Sequence, residues 1–129
     1  MDQFMDWTFD PVNFPQLEVK AFVDDLHNRT MRNVLIADPA IKVLDGYKYY
    51  DIGLDQDIFI KSAITNEPMV GMVWPMYTVF PDFLHPNIDA YWEESISDFL
   101  QLVDVDGLWV DMNEPANFCT GSDLATCSH

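Results

Sequence analysis

The sequence predicts an α/β fold built on a parallel sheet with helical crossovers, and three observations carry that expectation. Residues 33–37 (NVLIA) and 108–110 (LWV) are continuous apolar runs bounded by turn residues, the pattern of strands buried on both faces. Each is preceded by a stretch with helical apolar spacing. Each also leaves straight into an aspartate, Asp38 or Asp111, at the strand's carboxyl end, where catalytic groups of α/β folds collect.

The elements follow in order. Residues 1–14 mix acids with aromatics without a period and read as a loop. Pro15 suits a first helical position, with Asn13 nearby as a cap, and Val19, Phe22, Val23 and Leu26 then mark an amphipathic helix over 15–28. The strand at 33–37 ends in Asp38-Pro39, where the proline prevents an early helix. Residues 40–86 hold turn signals and short strand-like pieces at 58–60, 69–74 and 77–80, an irregular excursion that includes a small hairpin. A second helix over 87–102 begins with Asp89 in its first turn and buries Trp92, Ile96, Phe99, Leu100 and Val103. Residues 104–107 turn into the last strand. After Pro115 the composition becomes small and polar, as in a loop. Two strands do not close a sheet, and a barrel of such units takes roughly 250 residues. The 129 residues therefore read as part of a larger domain, beginning and ending inside loops.

Charge narrows the function. Six cations face 22 acids, a net charge of −16, and no Lys or Arg follows Lys61. Nucleic acid and anionic membranes both require basic patches, so neither is an expected partner. Most of these acids serve a solvated surface. No apolar run is long enough to span a membrane, and no basic leader precedes an apolar stretch at Met1. Cys119 and Cys127 allow either two free thiols or one small-loop disulfide. Asn28-Arg29-Thr30 is a glycosylation acceptor pattern.

Asp111 is the first candidate for chemistry, because an acid at the end of an apolar strand is costly unless paired or working. The bland reading makes it a structural acid capping the next turn. Trp109 shares its side of the strand, as Ile36 does for Asp38. Asp111 and Glu114 suggest the paired carboxylates of glycoside hydrolysis, but residues three apart approach from one wall, and Glu114 is better read in a supporting role. A calcium loop with Gly107 at its sixth position would place Leu102 first and Asn113 twelfth, and fails at both ends. His27, His85 and His129 lack metal-ligand spacing, so neither a metal nor another cofactor is expected.

The segment from Trp109 to Glu114 (WVDMNE) resembles the nucleophile signature of glycoside hydrolase family 31, the α-glucosidases and their relatives. The stretches DWTFD at 6–10, IADPAI at 36–41, VWP at 73–75, FPDF at 80–83 and NEPANF at 113–118 are similar to family blocks in the same order. They look closer to the lysosomal and intestinal branch than to glucosidase II of the endoplasmic reticulum. The resemblance implies part of a (β/α)8 TIM barrel, with strands three and four ending at Asp38 and Asp111. Residues 40–86 would be an insertion after the third strand, and 116–129 would open a second. It implies a retaining hydrolase of terminal, non-reducing α-linked glucose, with Asp111 the nucleophile. Asp38 would bind sugar hydroxyls, and Ile36, Trp74, Trp109 and Met112 would line the subsite. A secretory-pathway home, lysosomal or extracellular, follows from the same likeness. Where the family usually has Gly after its Val-Trp-Pro, this chain has Met76. The family's general acid/base, with a substrate-binding Arg and His, falls beyond His129, and a further substrate-binding Asp falls before Met1. The fragment is therefore expected to be inactive alone. The rival readings are a carbohydrate-binding remnant without catalysis and a truncated gene product.

Overall fold

The structure is a computed structural model that describes residues 1–119. A short 3-10 turn at Asp2–Phe4 precedes α1 (Gln16–Asn28), β1 (Val34–Ala37), β2 (Ile41–Lys42), α2 (Lys48–Asp55), β3 (Gly71–Val73), β4 (Met76–Val79), α3 (Ile88–Leu100) and β5 (Gly107–Val110). β1 and β5 pair in parallel, in the register Val34 with Gly107 through Ala37 with Val110. β2, β4 and β3 make a separate antiparallel sheet in that spatial order. The predicted helices, the two apolar strands, their parallel pairing and the hairpin are all present. No closed barrel is formed by the described residues.

Asp106 fixes the entry to the parallel pair. Its carboxylate accepts from the Asn33 amide (2.8 Å), His27 Nε2 (2.8 Å) and Arg32 Nη1 (2.6 Å), and its own amide donates to the Asn33 carbonyl. These donors, the Asn33 amide foremost, hold its carboxyl well below the usual carboxylate range. That contribution to stability is present above the ordinary aspartate pKa and is lost on acidification. One carboxylate thus ties the end of α1 to both strands and sets their register.

Four expectations need correction. The strands are not buried on both faces: Val34, Ile36 and Trp109 are exposed on the face that the described residues leave open, while Leu35, Ala37 and Leu108 pack against the core; Val110, on the covered face at the end of its strand, is exposed as well. Phe22 and Leu100, expected inside, stand at the solvent edges of their helices, whereas Val23 and Phe99 are buried as expected and Tyr91 is buried in addition. Residues 1–14 are more than a loop. Met5, Asp6 and Trp7 are buried, and the Trp7 ring meets Trp92 edge-on at 5.7 Å and Phe99 at 5.8 Å. The piece at 58–60 forms only an isolated bridge from Phe59 to Pro81.

The excursion also contains an unexpected helix, α2. Its eight residues include Gly53, a poor helix former, and its apolar positions are too few to show a period. Tertiary contacts decide it. Tyr49 and Gly53 face the core, and Lys48 is ion-paired with Asp98 on α3. Gly53 is there for close approach, since a Cβ at that position would lie 2.2 Å from the Phe59 ring. That ring is 3% exposed and held against Tyr50 and Tyr91, so it has nowhere to move. Gly53→Ala therefore sets a helix-propensity gain of about 1 kcal/mol against about 1–3 kcal/mol of overpacking. We expect a net loss, read as a lower urea midpoint; a rise would show that the ring yields.

Candidate active site

The parallel register places Asp38 and Asp111 opposite each other, one residue beyond the Ala37–Val110 pair. Neighbouring strands run about 4.8 Å apart, so the two carboxyl groups leave the sheet side by side. Ile36 and Trp109 are also register partners, and by alternation they share the face of Asp38 and Asp111. That face is open, with Ile36 39% and Trp109 59% exposed.

The two acids sit in different surroundings. Asp38 is half-buried, and its Oδ1 is enclosed without a hydrogen-bond partner. Burial raises its carboxyl above the ordinary aspartate value, and the charge of Asp111 raises it further. Asp111 is exposed; its Oδ1 accepts from the Met112 amide at 2.8 Å, and its carbonyl accepts from Asn113 Nδ2 at 2.6 Å. Met112 takes a left-handed φ of 58°, which turns the chain sharply off the strand and leaves the Asp111 carboxylate at the surface.

The β3–β4 hairpin supplies the next wall. Trp74 and Pro75 form its tip, and Trp74 Nε1 donates to Met112 Sδ at 3.2 Å. The Phe118 ring stands edge-on to Trp74 at 5.0 Å. Asn117 ties this hairpin to the loop after β5, its Oδ1 accepting from the amides of Met72 (3.0 Å) and Cys119 (3.1 Å), while the Phe118 amide donates to the Met72 carbonyl. Gly71 lets Asn117 approach, since a Cβ there would lie 2.8 Å from Asn117 Oδ1 and 2.7 Å from the Phe80 ring.

The site thus offers two adjacent carboxylates at the ends of parallel strands, with an indole on the strand face and another on the hairpin. Carboxylates accept hydrogen bonds from hydroxyls, and flat aromatic faces take the apolar face of a pyranose. An apolar cavity of about 720 Å³ lies beside this site, between the 1–14 segment and the sheet, with Phe4, Phe9, Leu35 and Leu108 in its lining. It reaches Ile36 but neither Asp38 nor Asp111, and its apolar lining suits hydrocarbon better than sugar. Among the described residues no group of three or more His, Cys, Asp or Glu is placed to hold a metal, and no helix is long and apolar enough to cross a membrane.

The description "Glycosyl hydrolases family 31 TIM-barrel domain" matches residues 1–129. The chain belongs to glycoside hydrolase family 31. It is 48% identical over 121 residues to an alpha-glucosidase of Hordeum vulgare, covering 92% of this chain and 14% of that protein. It is 45% identical over 122 residues to an alpha-glucosidase of Mucor javanicus, covering 95% of this chain and 14% of that protein. Among solved structures it resembles a family 31 alpha-glucosidase of Bacteroides thetaiotaomicron, with a TM-score of 0.76 and 35% identity over 95% of this chain and 20% of that one. The chain spans about 14% of the length of the curated relatives it matches.

In this family 31 chain, Ile36, Asp38, Trp109 and Asp111 come together on one sheet face, and Trp74 and Met112 meet beside it. Glu114 lies exposed past the strand end, and Asn28 is exposed at the end of α1, towards the amino ends of the strands. Cys119 is disulfide-bonded, whereas Cys127 lies outside the described residues. Asp6 entered the sequence reading only as part of the block at 6–10, and its burial within Met5-Asp6-Trp7 was not expected, because residues 1–14 show no period. Sequence reading also missed the clasp made by the Asn117 side-chain oxygen and the Phe118 amide, whose partners are backbone groups that no residue pattern marks.

Met76 stands where the resemblance to the family implies a glycine. Its φ of 78° lies in the left-handed region that favours glycine, immediately after the hairpin tip that carries Trp74. A side chain there costs about 1–2 kcal/mol, and glycine's extra freedom in the unfolded chain returns about 0.5–1 kcal/mol of that. Met76→Gly is expected to leave stability unchanged or raise it by up to about 1.5 kcal/mol, measured as a thermal midpoint; a loss of about 1 kcal/mol would show that Met76 contributes packing.

Proposed function

We propose that this chain is the part of a retaining α-glucosidase barrel that carries the nucleophile, Asp111. The observation that supports the reading most is the placement of Asp38 and Asp111 side by side at the carboxyl ends of adjacent parallel strands, within a family 31 match covering the whole chain. Asp111 attacks the anomeric carbon of a terminal, non-reducing α-glucoside and forms a covalent glycosyl-enzyme, which water then hydrolyses. Its exposure on an open face suits attack on a substrate arriving from solvent. Asp38 accepts hydrogen bonds from the sugar hydroxyls. Ile36, Trp74, Trp109 and Met112 surround the ring, with Met112 held by the Trp74 indole. Glu114 supports the strand end.

Retention requires a second carboxyl about 5–5.5 Å from the first and on the other side of the scissile bond. Asp38 and Asp111 stand on one wall, so the described residues do not complete that pair, and this chain is inactive without the remainder of a barrel. β1 and β5 act as strands three and four, and α3 is the crossover between them. Residues 40–86 are the insertion after the third strand, and 116–129 begin another. The disulfide at Cys119 and the exposed acceptor at Asn28 suit the secretory pathway, lysosomal or extracellular.

The test is chemical. A polypeptide that contains this chain within its whole barrel is given an aryl α-glucoside, and the first-formed sugar is observed by proton NMR. The expected product is α-glucose, and a fluorinated glucosyl fluoride should label the peptide containing Asp111. First-formed β-glucose, or a label on another carboxylate, would overturn the assignment. Binding of glucose without turnover by that polypeptide would instead favour a carbohydrate-binding remnant.

A further inference from the structure

β3 is an edge strand of the antiparallel sheet, whose spatial order is β2, β4, β3. The outer side of such a strand presents backbone groups that no further strand satisfies. At Met72, which is 5% exposed, the loop after β5 takes both of them. The Met72 amide donates to Asn117 Oδ1 at 3.0 Å, and its carbonyl accepts from the Phe118 amide at 2.9 Å. A side-chain oxygen and a main-chain N–H thus stand where a neighbouring strand would. The same Oδ1 accepts from the amide of Cys119 at 3.1 Å, and Cys119 is buried and disulfide-bonded. Two amides of buried residues therefore depend on one half-buried acceptor, whose two lone pairs suffice for both.

The loop that carries Asn117 also carries Met112. The Ala116 amide donates to the Met112 carbonyl at 2.9 Å, which closes a turn between Met112 and Asn117. Met112 Sδ in turn accepts from Trp74 Nε1, and the Phe118 ring stands edge-on to the Trp74 indole. Trp74 sits at the hairpin tip, two residues past Met72, and is 54% exposed, so the core does not fix its ring. A thioether is a weak acceptor, and one edge contact leaves a ring free to turn. The backbone on either side must be held for the indole and the sulfur to meet.

We propose that Asn117 is a positioning residue of the sugar site: its side-chain oxygen holds the β3–β4 hairpin against the 112–119 loop and so sets the Trp74 indole against Met112. The inference rests on the reading of Trp74 and Met112 as subsite lining. Asn117 acts on the substrate through Trp74 and does not touch the sugar.

The assay uses the barrel-containing polypeptide and an aryl α-glucoside. Asn117→Ala is expected to raise KM about 5- to 30-fold with kcat changed less than about threefold, the worth of losing one shared acceptor. Asn117→Asp keeps an oxygen that accepts from both amides and should stay within about threefold of the wild-type KM. In a Trp74→Ala background, Asn117→Ala should add less than about twofold, because the residue it acts through is gone. Full additivity, a loss in kcat with KM unchanged, or an Asn117→Asp as impaired as alanine would overturn the proposal. A fluorine spectrum of protein labelled with fluorotryptophan gives a readout that needs no turnover. The resonance absent from Trp74→Ala should move in Asn117→Ala and stay in place in Asn117→Asp. Asn117→Gln carries its oxygen one methylene further and should shift the same resonance and raise KM; it decides alone if the alanine variant does not fold. A wild-type polypeptide without glucosidase activity would count against the functional reading alone. An unmoved Trp74 resonance would overturn the positioning role whatever the activity.

Discussion

Asp111→Asn is expected to lower kcat on an aryl α-glucoside by at least about 10⁴-fold in the barrel-containing enzyme, the scale on which nucleophile removals fall. The amide keeps the shape of the side chain, and its oxygen still accepts from the Met112 amide. The fold and the hydroxyl contacts of Asp38 therefore remain, and affinity for glucose should change by less than about tenfold. A purely structural Asp111 would give the reverse pattern: a lowered thermal midpoint and a kcat within about tenfold of the wild type. Chemical rescue separates the two further. With Asp111→Ala, azide occupies the vacated space and attacks the anomeric carbon from the same side, displacing the aryl leaving group and giving β-glucosyl azide. That product forms only if the carboxylate once stood at the anomeric carbon. Its absence, with activity retained in Asp111→Asn, would return Asp111 to a structural role.

The site was legible in the sequence to the extent that it depends on strand ends. Asp38 and Asp111 could be recognised because an apolar run that stops at an acid is both a strand signal and an energetic anomaly. Trp109 and Ile36 followed from alternation. The strands' exposure was not legible, because a continuous apolar run looks the same whether one or both of its faces are covered. Trp74 reached the site only through resemblance to a family, since its place beside Met112 depends on a hairpin far away in sequence. The burial of Asp6 and Trp7 was not legible for a related reason. They lie in a segment with no period, held by contacts to α2 and α3, and α2 itself carries a glycine that local propensity counts against it. Where tertiary contacts override local preference, a single sequence keeps no trace of the outcome.

Trp7→Ala is expected to cost about 3–5 kcal/mol, the range for truncating a large buried aromatic. Folded proteins of this size hold only about 5–15 kcal/mol, so the change approaches global unfolding. The position explains the magnitude. The Trp7 ring is 7% exposed and meets Tyr49 on α2 at 6.5 Å, Trp92 on α3 at 5.7 Å and Phe99 on α3 at 5.8 Å. It joins the 1–14 segment to both helices, beside the Phe9 ring stacked on Phe99, and truncation leaves a void bordered by rings too constrained to fill it. Trp7→Phe gives an internal control. It keeps an aromatic body and removes the indole Nε1, which is buried without a hydrogen-bond partner. Loss of volume costs, while removal of an unsatisfied donor returns about 1–3 kcal/mol, so the phenylalanine variant should lie well above the alanine one. Urea unfolding of the three proteins decides the matter. If Trp7→Ala loses less than about 1 kcal/mol, the segment before α1 is not part of the core. If Phe and Ala lose equally, ring packing is not what holds it.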